Sequence, residues 1–170
     1  MLLLAAIMLL GGVVVGGRVS QASGAETAKI LDFDTMVGVP RPYTGATNAI
    51  RDVPGGGLPW VVDSAKGKLR ADGRIDVTVN GLVIDPNDSA AIAAGVAGTN
   101  PSPTFKAIVS CLSKDAAGNA NTVNVSTALF PASQAGDSTI SGTISLPQPC
   151  IAPIVFVTSP GGSWFAASGF

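Results

Sequence analysis

Beyond an apolar first segment, hydrophobic residues in this chain alternate with polar ones more often than they recur at helical spacing, and a period of two predicts strands. In Lys29-Ile-Leu-Asp-Phe-Asp-Thr-Met36 the alternation puts Leu31, Phe33 and Thr35 on one face and Asp32 with Asp34 on the other. Trp60-Val-Val62 begins another strand, and residues 66–84 carry the clearest local signal. There Asp72-Gly73 separates two alternating runs, which predicts a hairpin with a type I′ turn, because both central residues of that turn need positive φ. Ile75, Val77 and Val79 line one face of the second run, and Lys66, Lys68 and Arg70 point outward from the first. Such a row of cations suits an anionic polymer, or a solvated edge that discourages further strand pairing. Asn80-Gly81 then permits a kink, with Leu82-Val-Ile84 expected to continue the strand.

The second half repeats the pattern. Phe105, Ala107, Val109 and Cys111 share a face of one strand, and residues 122–129 alternate again, so the two are expected to pair as a hairpin across the turn-rich stretch 114–121. Strands over 138–146, 151–158 and 164–167 complete the set. Residues Ile154 to Val157 are apolar on both faces, which predicts a central strand covered on both sides. The helix expected lies between Asp85 and Gly98, capped by Asp88 and ended by Gly95 or Gly98. The fold class is therefore all-β: an antiparallel β-sandwich or barrel with one short helix.

Composition narrows the picture. Of 170 residues, 46% are hydrophobic and 12% charged, enough apolar material for one domain with a substantial core. Residues 1–17 are apolar throughout, and small residues follow (Ser20 with Ala22, Ser23 with Ala25), so residues 1–25 are read as a secretory signal peptide and 26–170 as an extracellular β-rich domain. No Lys or Arg precedes the apolar run, and an uncleaved membrane anchor is the alternative; with the leader cleaved, no stable membrane insertion is expected. In a secreted chain, two cysteines, Cys111 and Cys150, are expected to form a disulfide rather than a metal or redox pair, which would need further ligands or Cys-x-x-Cys spacing. A formal net charge of −1 gives no field to gather nucleic acid, so no nucleic-acid partner is expected.

Chemistry is limited by a missing residue type. The chain has no His, which removes Ser-His-Asp and Cys-His catalysis and ordinary zinc, copper or facial-triad iron sites; no cofactor and no metal are expected. Asp32 and Asp34 could share a cation or act as an acid and base pair, but two positions apart on one strand face they would not straddle a glycosidic bond. Asp85, Asn87 and Asp88 resemble the start of a calcium loop, yet Ala and Ile follow and no bidentate Glu closes it. The nearest thing to a binding surface is the proline- and glycine-dense stretch 38–60. It offers Arg41, Tyr43, Arg51 and Trp60, and Trp164 lies near the C-terminus.

The phrases Arg41-Pro-Tyr-Thr-Gly-Ala-Thr-Asn-Ala-Ile-Arg51, Val53-Pro-Gly-Gly-Gly-Leu-Pro-Trp60, Pro103-Thr-Phe-Lys-Ala-Ile-Val-Ser-Cys111 and Leu146-Pro-Gln-Pro-Cys150, with the Pro160-Gly-Gly turn beyond, resemble a family of secreted β-proteins of actinobacteria and related bacteria. The resemblance spans nearly the whole mature chain and implies no activity. A fainter topological likeness is to extracellular CHRD-type domains, whose His-containing strand is absent here. Three functions are in view. One is a secreted or cell-envelope structural or interaction domain without catalytic activity, its partner an envelope protein. Another is a binder of cell-wall polysaccharide using Tyr43, Trp60 and Trp164 as stacking platforms. The third is a hydrolase with carboxylate chemistry.

Overall fold

The computed structural model describes residues 27–168, so the expected leader lies outside the described residues. In chain order the strands are β1 (Lys29–Phe33), β2 (Met36–Gly38), β3 (Trp60–Val61), β4 (Ser64–Arg70), β5 (Arg74–Asn80) and β6 (Val83–Ile84), then β7 (Thr104–Lys114), β8 (Ala120–Ser126), β9 (Phe130–Pro131), β10 (Ser138–Thr143), β11 (Ile151–Thr158) and β12 (Trp164–Ser168). A 3-10 turn, Arg41–Tyr43, and one short helix, α1 (Ser89–Ala93), interrupt them. Two antiparallel sheets form a sandwich. The first, sheet A, has the order β1-β4-β5-β10; the second, sheet B, runs β2-β12-β11-β7-β8, with β9 also paired to β7. A small separate pair joins β3 to β6.

The alternation reads directly onto the core. Leu69, Ile75, Val77, Val79 and Ile140 turn inward from sheet A, and Phe105, Ala107, Val109, Cys111, Val155 and Val157 are buried on sheet B. The apolar run at Ile154–Val157 lies in β11, flanked by β7 and β12 as its two-sided hydrophobicity requires. On the opposite face of sheet B, Ser110, Phe156, Thr158 and Trp164 are buried as well.

Four local expectations change. The hairpin β4–β5 forms, but its loop is Ala71-Asp72-Gly73 with only Gly73 in the left-handed region (φ 85°) and the Gly73 N–H donating to Arg70 O at 2.9 Å. Asp72 is thus not in a type I′ position; its carboxylate instead accepts from the Arg74 N–H at 3.1 Å. A type I′-like pair of left-handed residues occurs elsewhere, at Arg51 (φ 50°) and Asp52 (φ 65°), where Ile50 and Val53 exchange backbone hydrogen bonds of 3.1 and 3.0 Å. Second, β4 is not an edge: it lies between β1 and β5, and its outward cations are matched across strands, Lys68 between Asp32 and Asp76. Third, the strand after Asn80-Gly81 does not continue, because Gly81 (φ 64°) turns the chain away and Val83–Ile84 pairs with β3. Finally, the first predicted strand is split: β1 joins sheet A, and after Asp34-Thr35 β2 crosses to pair with β12 in sheet B.

The helix follows its sequence signals. Asp88 accepts from the Ala91 N–H at 3.0 Å at the N-terminus. At the other end Gly95 (φ 71°) and Val96 donate to the Ile92 and Ala91 carbonyls, each at 3.1 Å, in a Schellman arrangement.

Candidate functional site

The stretch 38–60 is ordered by its own backbone. Gly45 N–H donates to Gly56 O at 3.0 Å and Gly55 N–H to Gly45 O at 2.9 Å, closing residues 45–56 into a ring. Its neck is stapled to β12, where Gly56 N–H donates to Trp164 O and Trp164 N–H to Pro54 O, both at 2.8 Å. A Cβ on Gly55 would stand 1.9 Å from Tyr43 O, so only glycine lets the two sides of the neck approach. Gly55→Ala is expected to lower stability by about 1–3 kcal/mol, the usual cost of forcing backbone apart, and a urea titration against wild type checks it.

Each candidate residue can now be placed. Arg41 binds the carboxylate of Asp88, its Nε at 2.8 Å, so the residue that caps α1 also anchors the start of the loop. Arg51 sits at the ring's tip. Its Nη1 donates to Ser110 O on β7 at 3.1 Å and to Ala152 O on β11 at 2.8 Å, while its own carbonyl accepts from Asn124 Nδ2 on β8 at 2.8 Å. One side chain therefore spans neighbouring strands of sheet B from outside. Tyr43 is exposed on one side and meets Trp164 on the other, ring centroids 6.5 Å apart.

The two tryptophans are interior. Trp164, 3% exposed, packs against Phe156, and Trp60, 5% exposed, stacks on Phe165 with centroids 3.8 Å apart and meets Phe105 edge-on. Neither indole offers a face to solvent, and an interior place is the one that large aromatic rings most often take: they gain most from burial, and the loop supplies the cover. The five candidates thus lie along the loop and the strand under it, where four tie or fill the fold; Tyr43 and Arg41 keep exposed surface, and the Arg41 guanidinium is held by Asp88. The missed feature, Arg51 as a brace, has no signal in a single sequence, since an Arg in a polar loop reads as solvated.

Cys111 and Cys150 form the expected disulfide, with Cα atoms 4.9 Å apart. It joins β7 to the segment entering β11, and Cys111 is fully buried among the apolar residues of its face.

Two of the surface depressions gather candidate residues. One, of about 670 Å³, is an open groove between β2, β3 and the start of α1, lined by Val37, Val61, Arg41, Asp85 and Asp88. The other, of about 420 Å³, lies on the outer face of sheet A and contains Asp32, Asp34 and Asp76 beside Lys66, Lys68 and Arg70. Here the hydrogen bond from Lys29 holds the Asp32 carboxyl below its ordinary value, and those from Ser141 and Arg70 do the same for Asp76. The guanidinium of Arg41 and the Ala91 N–H lower Asp88. Among the described residues no group of three or more His, Cys, Asp or Glu is placed to hold a metal ion.

These shifts fix the pH dependence of stability. A carboxyl whose folded pKa is depressed stabilises the fold above the unfolded value of 3.8, and the contribution is lost as pH falls through the folded value. With no His to titrate, the denaturation midpoint is expected to stay flat from pH 8 to 5 and to fall below about pH 4, where Asp protonates. A urea series across that range reads it directly.

Comparison of the chain with protein-family models, with curated proteins and with solved structures found no match in any of the three.

Proposed function

We propose that this chain is a non-catalytic structural or interaction domain of the cell exterior, held rigid by a disulfide and by a loop folded back over one sheet. The observation that carries the reading is the use made of the chain's chemically capable residues. Arg41 and Arg51 are bound to Asp88 and to strand carbonyls, and both indoles fill the core. In the sheet A depression, Asp32 and Asp76 favour a charged state through cationic and hydroxyl partners, whereas a hydrolase needs one carboxyl that keeps its proton near neutral pH. The disulfide is compatible with an oxidising compartment, and no helix among the described residues is long and apolar enough to cross a membrane.

The test is to express the chain in a bacterium with a secretory pathway and fractionate the culture. The reading expects the protein in the medium or envelope fraction, shortened by about the length of the leader and without free thiol. Recovery in the cytoplasm with two free thiols would overturn it.

A further inference from the structure

Arg51 and the disulfide brace the same two strands at the same level. The carbonyls that Arg51 Nη1 binds belong to Ser110, which immediately precedes Cys111, and to Ala152, two residues after Cys150. Between Ile151 and Ile154 the pairing of β11 with β7 is broken by a bulge, and Ala152 within it sits in the left-handed region at φ 45°, an uphill conformation for a residue with a Cβ. Beyond the bulge, pairing runs unbroken from Ile154 opposite Ser110 to Thr158 opposite Lys106. The segment 150–153 is therefore held to β7 by the disulfide, the single pair Ile151 with Leu112, and Arg51.

The loop tip depends on the same contacts. Its neck is fixed to β12 by backbone bonds, but residues 46–53 reach sheet B through Arg51 and through Asn124, with Val53 buried beneath.

We infer that the Cys111–Cys150 disulfide is the keeper of a redox-sensitive latch: its reduction releases Ala152 from Arg51 and frees the loop tip, residues 46–53, while the sandwich stays folded. The reductant is a dithiol. Its thiolate attacks the sulfur of Cys150, which is partly exposed where Cys111 is buried. The S–S bond breaks, Cys111 leaves as thiolate and takes up a proton, and the dithiol's second sulfur displaces Cys150, so the dithiol becomes the disulfide as the protein gains two thiols. Coupling of this kind is reciprocal: if the disulfide favours the Arg51 contacts, those contacts favour the disulfide.

The test uses the full chain and two readouts. Hydrogen exchange followed by mass spectrometry is recorded before and after dithiothreitol, and the thiol–disulfide equilibrium with dithiothreitol is measured for wild type and Arg51→Ala. Reduction is expected to speed exchange in 46–53 and 150–153 while Val77, Val79 and Ile140 stay protected. Arg51→Ala is expected to shift the equilibrium toward the reduced form by about tenfold, a typical coupling between sites. Unchanged exchange at the loop tip after reduction, loss of protection at Val77, Val79 and Ile140 together with it, or an equilibrium in Arg51→Ala within twofold of wild type would each overturn the latch. The wild-type arm decides the matter alone if Arg51→Ala does not fold.

Discussion

Trp60→Ala is expected to be the most damaging single substitution in the domain, lowering stability by about 3–5 kcal/mol, the range for emptying a large aromatic site in a packed core. The ring is 5% exposed, lies nearly parallel to Phe165 at an interplanar angle of 15°, and meets Phe105 at 75°. Phe105 and Phe165 also touch each other, so the three rings form one unit joining β3, β7 and β12. Trp60 also ends the long loop: its N–H donates to Val39 O at 3.0 Å, and a Cβ on Gly56 would lie 3.0 Å from its Nε1. Gly56, which faces the indole nitrogen, has no side chain to swing into the space. Trp60→Phe, which keeps the stack, is expected to lose less than half as much. The check is urea denaturation of both variants, and a loss below 1 kcal/mol in Trp60→Ala would mean that the ring is not part of the core.

The second large effect is removal of the disulfide. The cysteines are separated by 39 residues in sequence, and closing a loop of that length restricts the unfolded chain by about 4 kcal/mol if chain entropy dominates. The double variant Cys111→Ala, Cys150→Ala is expected to lose about 2–4 kcal/mol and to remain folded, because a domain of this size has about 5–15 kcal/mol in hand. The ladder Ile154 to Thr158 against β7 does not run through either cysteine and is expected to persist in such a variant. Urea midpoints with and without the cysteines measure the loss; a variant as stable as wild type would show that the bridge constrains nothing the strands do not already fix.

The β-strands were legible in the sequence because alternation is a local property. Ile75, Val77 and Val79 announce their face whatever they pair with, and the two-sided apolarity of Ile154–Val157 announces a central position. The cap at Asp88 and the stop at Gly95 are local as well. Strand order is not local. The crossing from β1 to β2 takes place over Asp34-Thr35, which look like the continuation of an alternating run, and only the pairing of Met36–Gly38 with β12 shows the chain changing sheets. The interior place of β4 was hidden for the same reason: Lys66 and Lys68 look alike on an edge and on a solvated face.

The loop shows the limit more sharply. Proline and glycine density correctly marks residues 38–60 as irregular, yet irregular segments either carry partners or cover surface, and composition does not separate the two. What separates them is long-range: the parallel bridge of Gly55 to Trp164, the reach of Arg51 to Ser110 and Ala152, and the pairing of Arg41 with Asp88. Two of these depend on arginines whose acceptors lie far away in sequence, and the third on a glycine whose lack of a Cβ matters only once Tyr43 O is beside it.

That the loop is a wall of the fold, with both indoles sealed behind it, is the central claim, and the chain offers a direct probe because it has two tryptophans and no others. Intrinsic fluorescence of the oxidised native protein, titrated with acrylamide and then with soluble cell-wall polysaccharide, reads both rings at once. The account predicts blue-shifted emission, weak quenching that becomes strong in urea, and no spectral change on adding polysaccharide. Red-shifted emission quenched as readily as in the unfolded chain, or a saturable change with polysaccharide, would contradict it.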